Sequence, residues 1–236
     1  MLSYAKSLTS KSMTLSSRLH RFHFKVGLFS TTTSTTYGIG MTQEDMMIKD
    51  MIINTNNDDS IIGPTSKHQA HTFTSDTPRG SVHRAFSVFL FNEKNEMLIT
   101  KRASTKITFP NVWTNACCSH PIYGQTPDEV DHNSPSEIAS NSHKVSSVGT
   151  KHAAIRKLYH ELGVPPGSIP HSSFRFLTRF HYWAADTVTY GSRAPWGEHE
   201  IDYILFARRD EGDVKMLLNE EEVGEVIWVG KEELRR

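Results

Sequence analysis

A chain of 236 residues is long enough for one domain of ordinary size with additional segments attached. Lys+Arg and Asp+Glu both number 26, and this zero net charge argues against nucleic-acid binding while leaving room for a local basic patch that holds a small anion. No apolar run approaches the roughly 18 residues of a membrane-spanning helix.

Apolar residues make up 37% of the chain, and the shortage sits in the N-terminal third. Residues 1–43 contain no acidic residue before Glu44, but carry Lys6, Lys11, Arg18, Arg21 and Lys25 among many Ser and Thr. That composition is the pattern of an organelle transit peptide, with a merely disordered tail as the plainer alternative. Residues 44–69, with Asn54-Thr-Asn-Asn-Asp-Asp-Ser60, read as a polar linker, and Met41, Met46 and Met47 offer later starts. Localisation is then a mitochondrion or plastid if 1–43 is a transit peptide, and the cytoplasm otherwise.

Order is expected from about His83. Ala85-Phe-Ser-Val-Phe-Leu-Phe91 predicts a strand buried on both faces, Asn92–Glu96 a turn, and Met97–Arg102 the returning strand. Asn111-Val-Trp-Thr-Asn-Ala-Cys-Cys-Ser-His-Pro121 follows, holding both cysteines, Cys117 and Cys118, beside His120. Adjacent cysteines are poorly placed for a disulfide, so a functional thiol or a reducing compartment is expected. Residues 122–149 are polar and read as a long surface insertion.

Thr150 is expected to cap a helix that ends at Leu162 before Gly163 and Pro165-Pro166. Its apolar stripe is Ile155, Leu158 and Leu162, while Lys157 and Glu161, four apart, share another face. Phe174–Trp183, Trp196–Phe206 and Val223–Val229 read as further strands, and Lys231–Arg236 as the start of a helix. The result is a mixed α/β sandwich.

If Trp196–Phe206 is extended, Glu198, Glu200 and Asp202 point the same way. Such a face is either solvated at a sheet edge or neutralised by a cation. The chain has 13 histidines, so several near any motif are unremarkable in number. His71, His83 and His120 with one or two carboxylates would nevertheless suit a first-row divalent ion such as Zn²⁺ or Mn²⁺. Arg102, Lys106 and Lys157 supply positive charge, and Glu161 could hold Mg²⁺ carrying a phosphate. Each of these is also explicable as a surface charge, and Cys118 as a small buried hydrophobe.

Taken together, four blocks resemble the type I isopentenyl-diphosphate Delta-isomerases, a Nudix-fold family. They are His83–Asn92, Lys106-Ile-Thr-Phe-Pro110, Trp113-Thr-Asn-Ala-Cys-Cys-Ser-His-Pro121 and Trp196-Gly-Glu-His-Glu-Ile-Asp-Tyr203, within a resemblance covering roughly residues 70–236. The resemblance implies an α/β Nudix-like mixed-sheet sandwich with flanking helices. It implies transposition of a double bond from isopentenyl to dimethylallyl diphosphate by proton addition and removal through a carbocation. The family's catalytic groups fall on Cys118, Glu200 and Tyr182, and its metal ligands on His71, His83, His120, Glu198 and Glu200. Its Mg²⁺ carboxylate falls on Glu161, and its diphosphate contacts on Arg102, Lys106 and Lys157. Trp196 is expected against the hydrocarbon, where it and Trp113 could face the cation. Implied cofactors are Mg²⁺ on the diphosphate and a second divalent metal, Zn²⁺, Mn²⁺ or Mg²⁺. The implied partner is a small isoprenoid diphosphate, and the chain is expected to act as a monomer.

Two rivals are a Nudix-type diphosphate hydrolase and a metal-stabilised binding module without catalysis. Hydrolases carry Arg-Glu-x-x-Glu-Glu-x-Gly in their helix. Here that place reads Arg156-Lys-Leu-Tyr-His-Glu-Leu-Gly163, with Lys157 and His160 at two of the three acidic positions. A binding module leaves Cys118, Arg102 and Lys106 without a purpose. The domain 70–236 is expected to stop short of the C-terminal helices usual in the family, and the 122–149 insertion to exceed the family's usual length.

Overall fold

The computed structural model describes residues 36–140 and 145–235 of the chain. Helix α1 (Gln43–Lys49) leads into strands β1 (Met51–Thr55) and β2 (Ile61–Ser66), then the short helix α2 (Lys67–His71). Strands β3 (His83–Phe91), β4 (Met97–Arg102), β5 (Trp113–Asn115) and β6 (Cys117–Ser119) follow. Next come α3 (Pro135–Ser140) and α4 (Val148–Leu162), and then β7 (Arg175–Ala185), α5 (Thr187–Tyr190), β8 (Gly197–Arg208) and β9 (Val223–Val229). Among the described residues no helix is long and apolar enough to cross a membrane.

The expected hairpin forms, but its strands part at once, with Phe91 opposite Met97 as the registered pair. Beyond that mouth β3 lies between other strands. Along one edge it runs parallel to β8 from His83↔Glu200 to Phe91↔Arg208. Along the other it meets β1 at Asn54↔His83 and β6 at Ser87↔Cys118. A strand paired on both edges and covered on both faces has no solvated side, which is why its sequence is apolar without alternation.

Paired residues share a face of a sheet, and alternate residues share a face of a strand. One face of β3, β6 and β8 therefore collects His83, Ser87, Cys118, Glu198, Glu200 and Asp202. The other collects Phe86, Val88, Leu90, Cys117, Ile201, Tyr203 and Leu205, which pack with Ala153, Ala154, Leu158 and Leu162 of α4 in the core. The expected stripe of α4 is buried, and Gly163 ends the helix at φ 65° in the left-handed region.

Segment 44–69 is not a linker. It folds into α1, β1 and β2, burying Met46, Met47, Ile52 and Ile53. Two capping boxes start its helices, Thr42 with Asp45 and Ser66 with Gln69. Its polar Asn/Asp run makes the β1–β2 turn and places Asp59 at φ 66°, a conformation Asp and Asn tolerate better than most residues. Nor is residue 43 a boundary: Tyr37 donates to Asp50 (2.6 Å) and its ring lies 4.3 Å from the Arg156 guanidinium of α4. Residues 1–35, where the transit-peptide reading rests, lie outside the described residues.

Tyr37→Phe removes that hydroxyl and leaves the buried Asp50 carboxylate without it. The expected cost is about 1–3 kcal/mol, read as a lower denaturant midpoint at unchanged slope. An unchanged midpoint would mean that the 36–41 strap adds nothing to the fold.

The described part of 122–149 is likewise more than a surface insertion, because two of its acids, Glu129 and Asp131, are buried. Asp131 accepts from the backbone N–H of Gly149 (2.9 Å) and Thr150 (2.9 Å) and from the Thr150 hydroxyl (2.7 Å). Thr150 is thus inside the helix, and Asp131 from the preceding loop satisfies the open N–H groups that a local cap would have taken. Glu129 accepts from Arg156 at 2.6 and 2.8 Å, both partners being buried. Lys231–Arg235 makes a turn rather than a helix.

Candidate active site

The shared face of β3, β6 and β8 converts the alternation of Glu198, Glu200 and Asp202 into three adjacent stations. At the first, His71 from α2 places Nε2 2.7 Å from Glu198 Oε2. At the second, Glu200 Oε1 lies 2.9 Å from His120 Nε2 and 3.6 Å from His83 Nε2, while Tyr182 from β7 donates to Glu200 Oε2 at 2.5 Å. At the third, Asp202 accepts from Ser87 (2.7 Å), whose hydroxyl is 3.3 Å from Cys118 Sγ.

The donor atoms of His71, His83, His120, Glu198 and Glu200 lie within 4.8 Å of one another. His71 Nδ1 lies 2.6 Å from Lys67 O and His83 Nδ1 2.8 Å from Ser81 O, so both rings donate there and turn an Nε2 lone pair inward. Metal-ligating imidazoles are oriented in that way. Those Nε2 atoms and Glu198 Oε2 are buried and make no hydrogen bond, despite their proximity. Unsatisfied buried donors and acceptors are costly. Three imidazoles and two carboxylates closing on one point fit a divalent metal ion, which would satisfy them together.

The electrostatics agree with that convergence. Burial works against ionisation of Glu200, but the neighbouring His83 and the hydrogen bond from Tyr182 outweigh it and hold the carboxyl below its usual range. Burial likewise opposes Glu198, and His71 outweighs it. At Asp202 burial, followed by repulsion from Glu200, wins and pushes it up to about 7. Cys118 is pushed up to about 12, first by burial and then by Asp202, and stays a thiol at neutral pH. Its Sγ–H donates to Asn115 Oδ1 at 2.8 Å, and the Asn115 amide is itself held by the carbonyls of Val88 and Cys117. Cys117, one residue earlier, faces the opposite side of the sheet and is core.

Cys118, His120, Glu198, Glu200 and Tyr182 line one narrow cavity, which is completed by the basic and acidic groups Lys67, Arg102, Lys106, Lys157 and Glu161. Two of its four cations are already paired with carboxylates. Lys157 pairs with Glu161 (3.0 Å) and Lys106 with Glu222 (2.5 Å). Burial pushes the Lys106 amine down to about 8, still charged at neutral pH, whereas for Lys157 the charges of Glu222 and Glu161 overcome burial and hold it above its usual value. Arg102 is braced by the carbonyls of Thr108 (2.8 Å) and Phe109 (3.0 Å).

Trp196 does not line this cavity. Its ring packs edge-on against His68 with centroids 5.0 Å apart. Trp113 is likewise turned out, with the Lys101 ammonium 5.9 Å from its ring. Of the expected aromatics, Tyr182 faces the site. Sequence reasoning missed Lys67, Asn115, Ser87 and Glu222 as members of this neighbourhood. Lys67 carried a local signal, standing one helical turn before His71 behind a Ser66–Gln69 capping box. Glu222 carried none, since its partners are 65 and 116 residues away along the chain.

Comparison with known proteins gives two findings. The NUDIX domain family matches residues 149–236, bearing out the expected Nudix-like α/β sandwich. The chain is 43% identical over 198 residues to an isopentenyl-diphosphate delta-isomerase of Gibberella zeae, covering 84% of this chain and 70% of that protein. It is 37% identical over 235 residues to isopentenyl-diphosphate Delta-isomerase II of Camptotheca acuminata, covering 98% and 69%. Against the chloroplastic isopentenyl-diphosphate Delta-isomerase I of Arabidopsis thaliana it is 38% identical over 218 residues, covering 91% and 67%.

Proposed function

The chain belongs to the isopentenyl-diphosphate Delta-isomerase family, and from that premise we propose that Cys118 and Glu200 are the acid–base pair that interconverts isopentenyl and dimethylallyl diphosphate. One observation carries the assignment of roles. The thiol of Cys118 and the carboxylate of Glu200 line one cavity with four cationic side chains, Lys67, Arg102, Lys106 and Lys157.

The reaction adds a proton to the terminal carbon of an isolated alkene and removes one from the adjacent methylene, so a donor and an acceptor are both required. An alkene is a weak base, and general acid–base chemistry on it needs groups already in contact range and shielded from water. Cys118 stands protonated and Glu200 ionised, which places one proton between the two groups. After one turnover their protonation states are exchanged. Tyr182, bonded to Glu200, orients that carboxylate and lines the cavity, where an aromatic ring would favour positive charge on carbon.

The cationic side chains anchor the diphosphate, which does not react, and that binding energy holds the alkene against the pair. Mg²⁺ held by Glu161 would share the diphosphate charge, since such ions bind through one or two carboxylates plus substrate phosphates. A second divalent ion, Zn²⁺, Mn²⁺ or Mg²⁺, held by His71, His83, His120, Glu198 and Glu200, would fix and polarise Glu200. The protein is expected to act as a monomer on this small substrate. A leader directing it to a mitochondrion or plastid would end before Tyr37, whose contacts belong to the fold.

The full chain with Mg²⁺ is expected to convert isopentenyl to dimethylallyl diphosphate and to release no phosphate or pyrophosphate from nucleoside diphosphate derivatives. The second expectation follows from α4, where Arg156 is engaged by Glu129 and Lys157 stands at a position hydrolases fill with a metal-binding acid. Stripping metal with a chelator should abolish turnover, and adding back Zn²⁺, Mn²⁺ or Mg²⁺ singly identifies the ion that restores it. Nucleotide hydrolysis without isomerisation would overturn this reading.

A further inference from the structure

Two imidazoles meet on the face of the β7–β8 ribbon that the reaction does not use. Trp183 pairs with His199 and His181 with Ile201, so His181 and His199 are diagonal neighbours across antiparallel strands. Alternation turns both away from Tyr182, Glu198 and Glu200. Their Nε2 atoms are 3.2 Å apart, while the ring centroids are 5.2 Å apart and the planes lie within 17° of parallel. The Nε2 corners therefore lead toward each other. His181 is exposed and His199 half-buried.

We propose that His181 and His199 form a second, outward-facing chelating site for a divalent transition-metal ion of the Zn²⁺, Ni²⁺ or Cu²⁺ class. Two imidazole nitrogens bound at about 2.0–2.1 Å to one tetrahedral ion stand about 3.3 Å apart, so the rings need almost no movement to share one. His199 Nδ1 lies 3.3 Å from the carbonyl oxygen of Gly80, and a proton donated there leaves the Nε2 lone pair free to coordinate. Imidazole selects these ions over Mg²⁺ and Ca²⁺, which take oxygen donors, so the site is chemically distinct from a Mg²⁺-diphosphate contact. Water completes the coordination sphere on the exposed side.

The surrounding charge permits a cation. His181 lines a cleft of about 480 Å³ with Asn57, Asp58, Asp59 and Arg179. Arg179 there shares Asp59 (2.6 Å) with Arg84, and the Asp58 carboxylate supplies a second negative charge. Arg79 lies over the Trp183 ring at 5.5 Å, and its positive charge acts weakly against a cation at His199. The competing account is a single N–H···N bond between the rings, which binds nothing.

Calorimetric titration of the full chain with Zn²⁺ separates the two. Wild-type protein is expected to take up one more equivalent than His181→Ala, and His199→Gln should show the same loss. Bound Cu²⁺ should also show nitrogen hyperfine structure in wild type that weakens in His181→Ala. Equal Zn²⁺ stoichiometry in wild type and His181→Ala overturns the site. The readout is independent of isomerase activity, so its failure and a failure of the proposed reaction are distinguishable.

Discussion

Cys118→Ala should lower the rate of isopentenyl diphosphate conversion by about 10²–10⁴-fold, the usual contribution of a positioned acid–base group. The loss should fall on kcat rather than KM, because the cationic groups that bind the diphosphate are untouched. Glu200→Gln should lose as much and should also bind less metal, since the same carboxylate meets His83 and His120. Cys117→Ala is the internal control. Its side chain lies in the core on the opposite face, so a modest loss of stability, about 1 kcal/mol, is expected with most activity kept. A Cys118→Ala protein that turns over normally would remove the thiol from the mechanism and leave Glu200 and Tyr182 to carry both proton transfers.

Asp59→Asn should destabilise the fold by about 3–5 kcal/mol, the cost of removing one partner from a buried ion pair. Asp59 is 1% exposed and accepts from Arg84 Nε (2.6 Å), Arg179 Nη1 (2.6 Å) and the Tyr203 hydroxyl (2.6 Å). Asn keeps the size and tolerates the positive φ of 66°, so the effect isolates the charge. Arg84, itself 1% exposed, would then lie in the core without its counterion, held by the carbonyls of Asp59 and Asp131. A denaturation midpoint close to wild type would mean that the guanidinium is satisfied by the neighbouring carbonyls alone. Because Asp59 lies on the turn that joins β1 to β2, the measurement also tests whether residues 44–69 are integral to the domain.

The legible and illegible parts of this molecule divide by the range of the interaction involved. The two-sided burial of β3 was legible because a run such as Ala85–Phe91 has no polar alternation to lose. Convergence of Glu198 and Glu200 was legible because strand side chains repeat every second residue. The end of α4 at Gly163 was legible because a glycine is the residue that most readily enters the left-handed region. Segment 44–69 was misread because its Asn/Asp-rich turn dominates its composition, while Met46, Met47, Ile52 and Ile53 sit in apolar runs of three, too short to suggest a core. The start of α4 was misread for a related reason. Thr150 has the right chemistry for a cap, yet Asp131 supplies the acceptor from 19 residues away.

The sequence by itself determined the alternation that puts the acids of β8 on one face, the separation of Cys117 from Cys118, and, through four motif blocks, the family. These are properties of neighbouring residues, set by backbone geometry and covalent spacing. Only the tertiary structure decided which groups meet. The parallel register of β3 against β8 sets His83 beside Glu200, while Ser87 joins Asp202 to Cys118 and Glu222 balances Lys106 and Lys157. It also left Trp196 and Trp113 out of the cavity lining and brought His181 to His199. A charge or an aromatic ring carries no record in the chain of the partner it will find. That partner is chosen by which strand edges pair, and the pairing is settled by burial of the whole core rather than by any local signal.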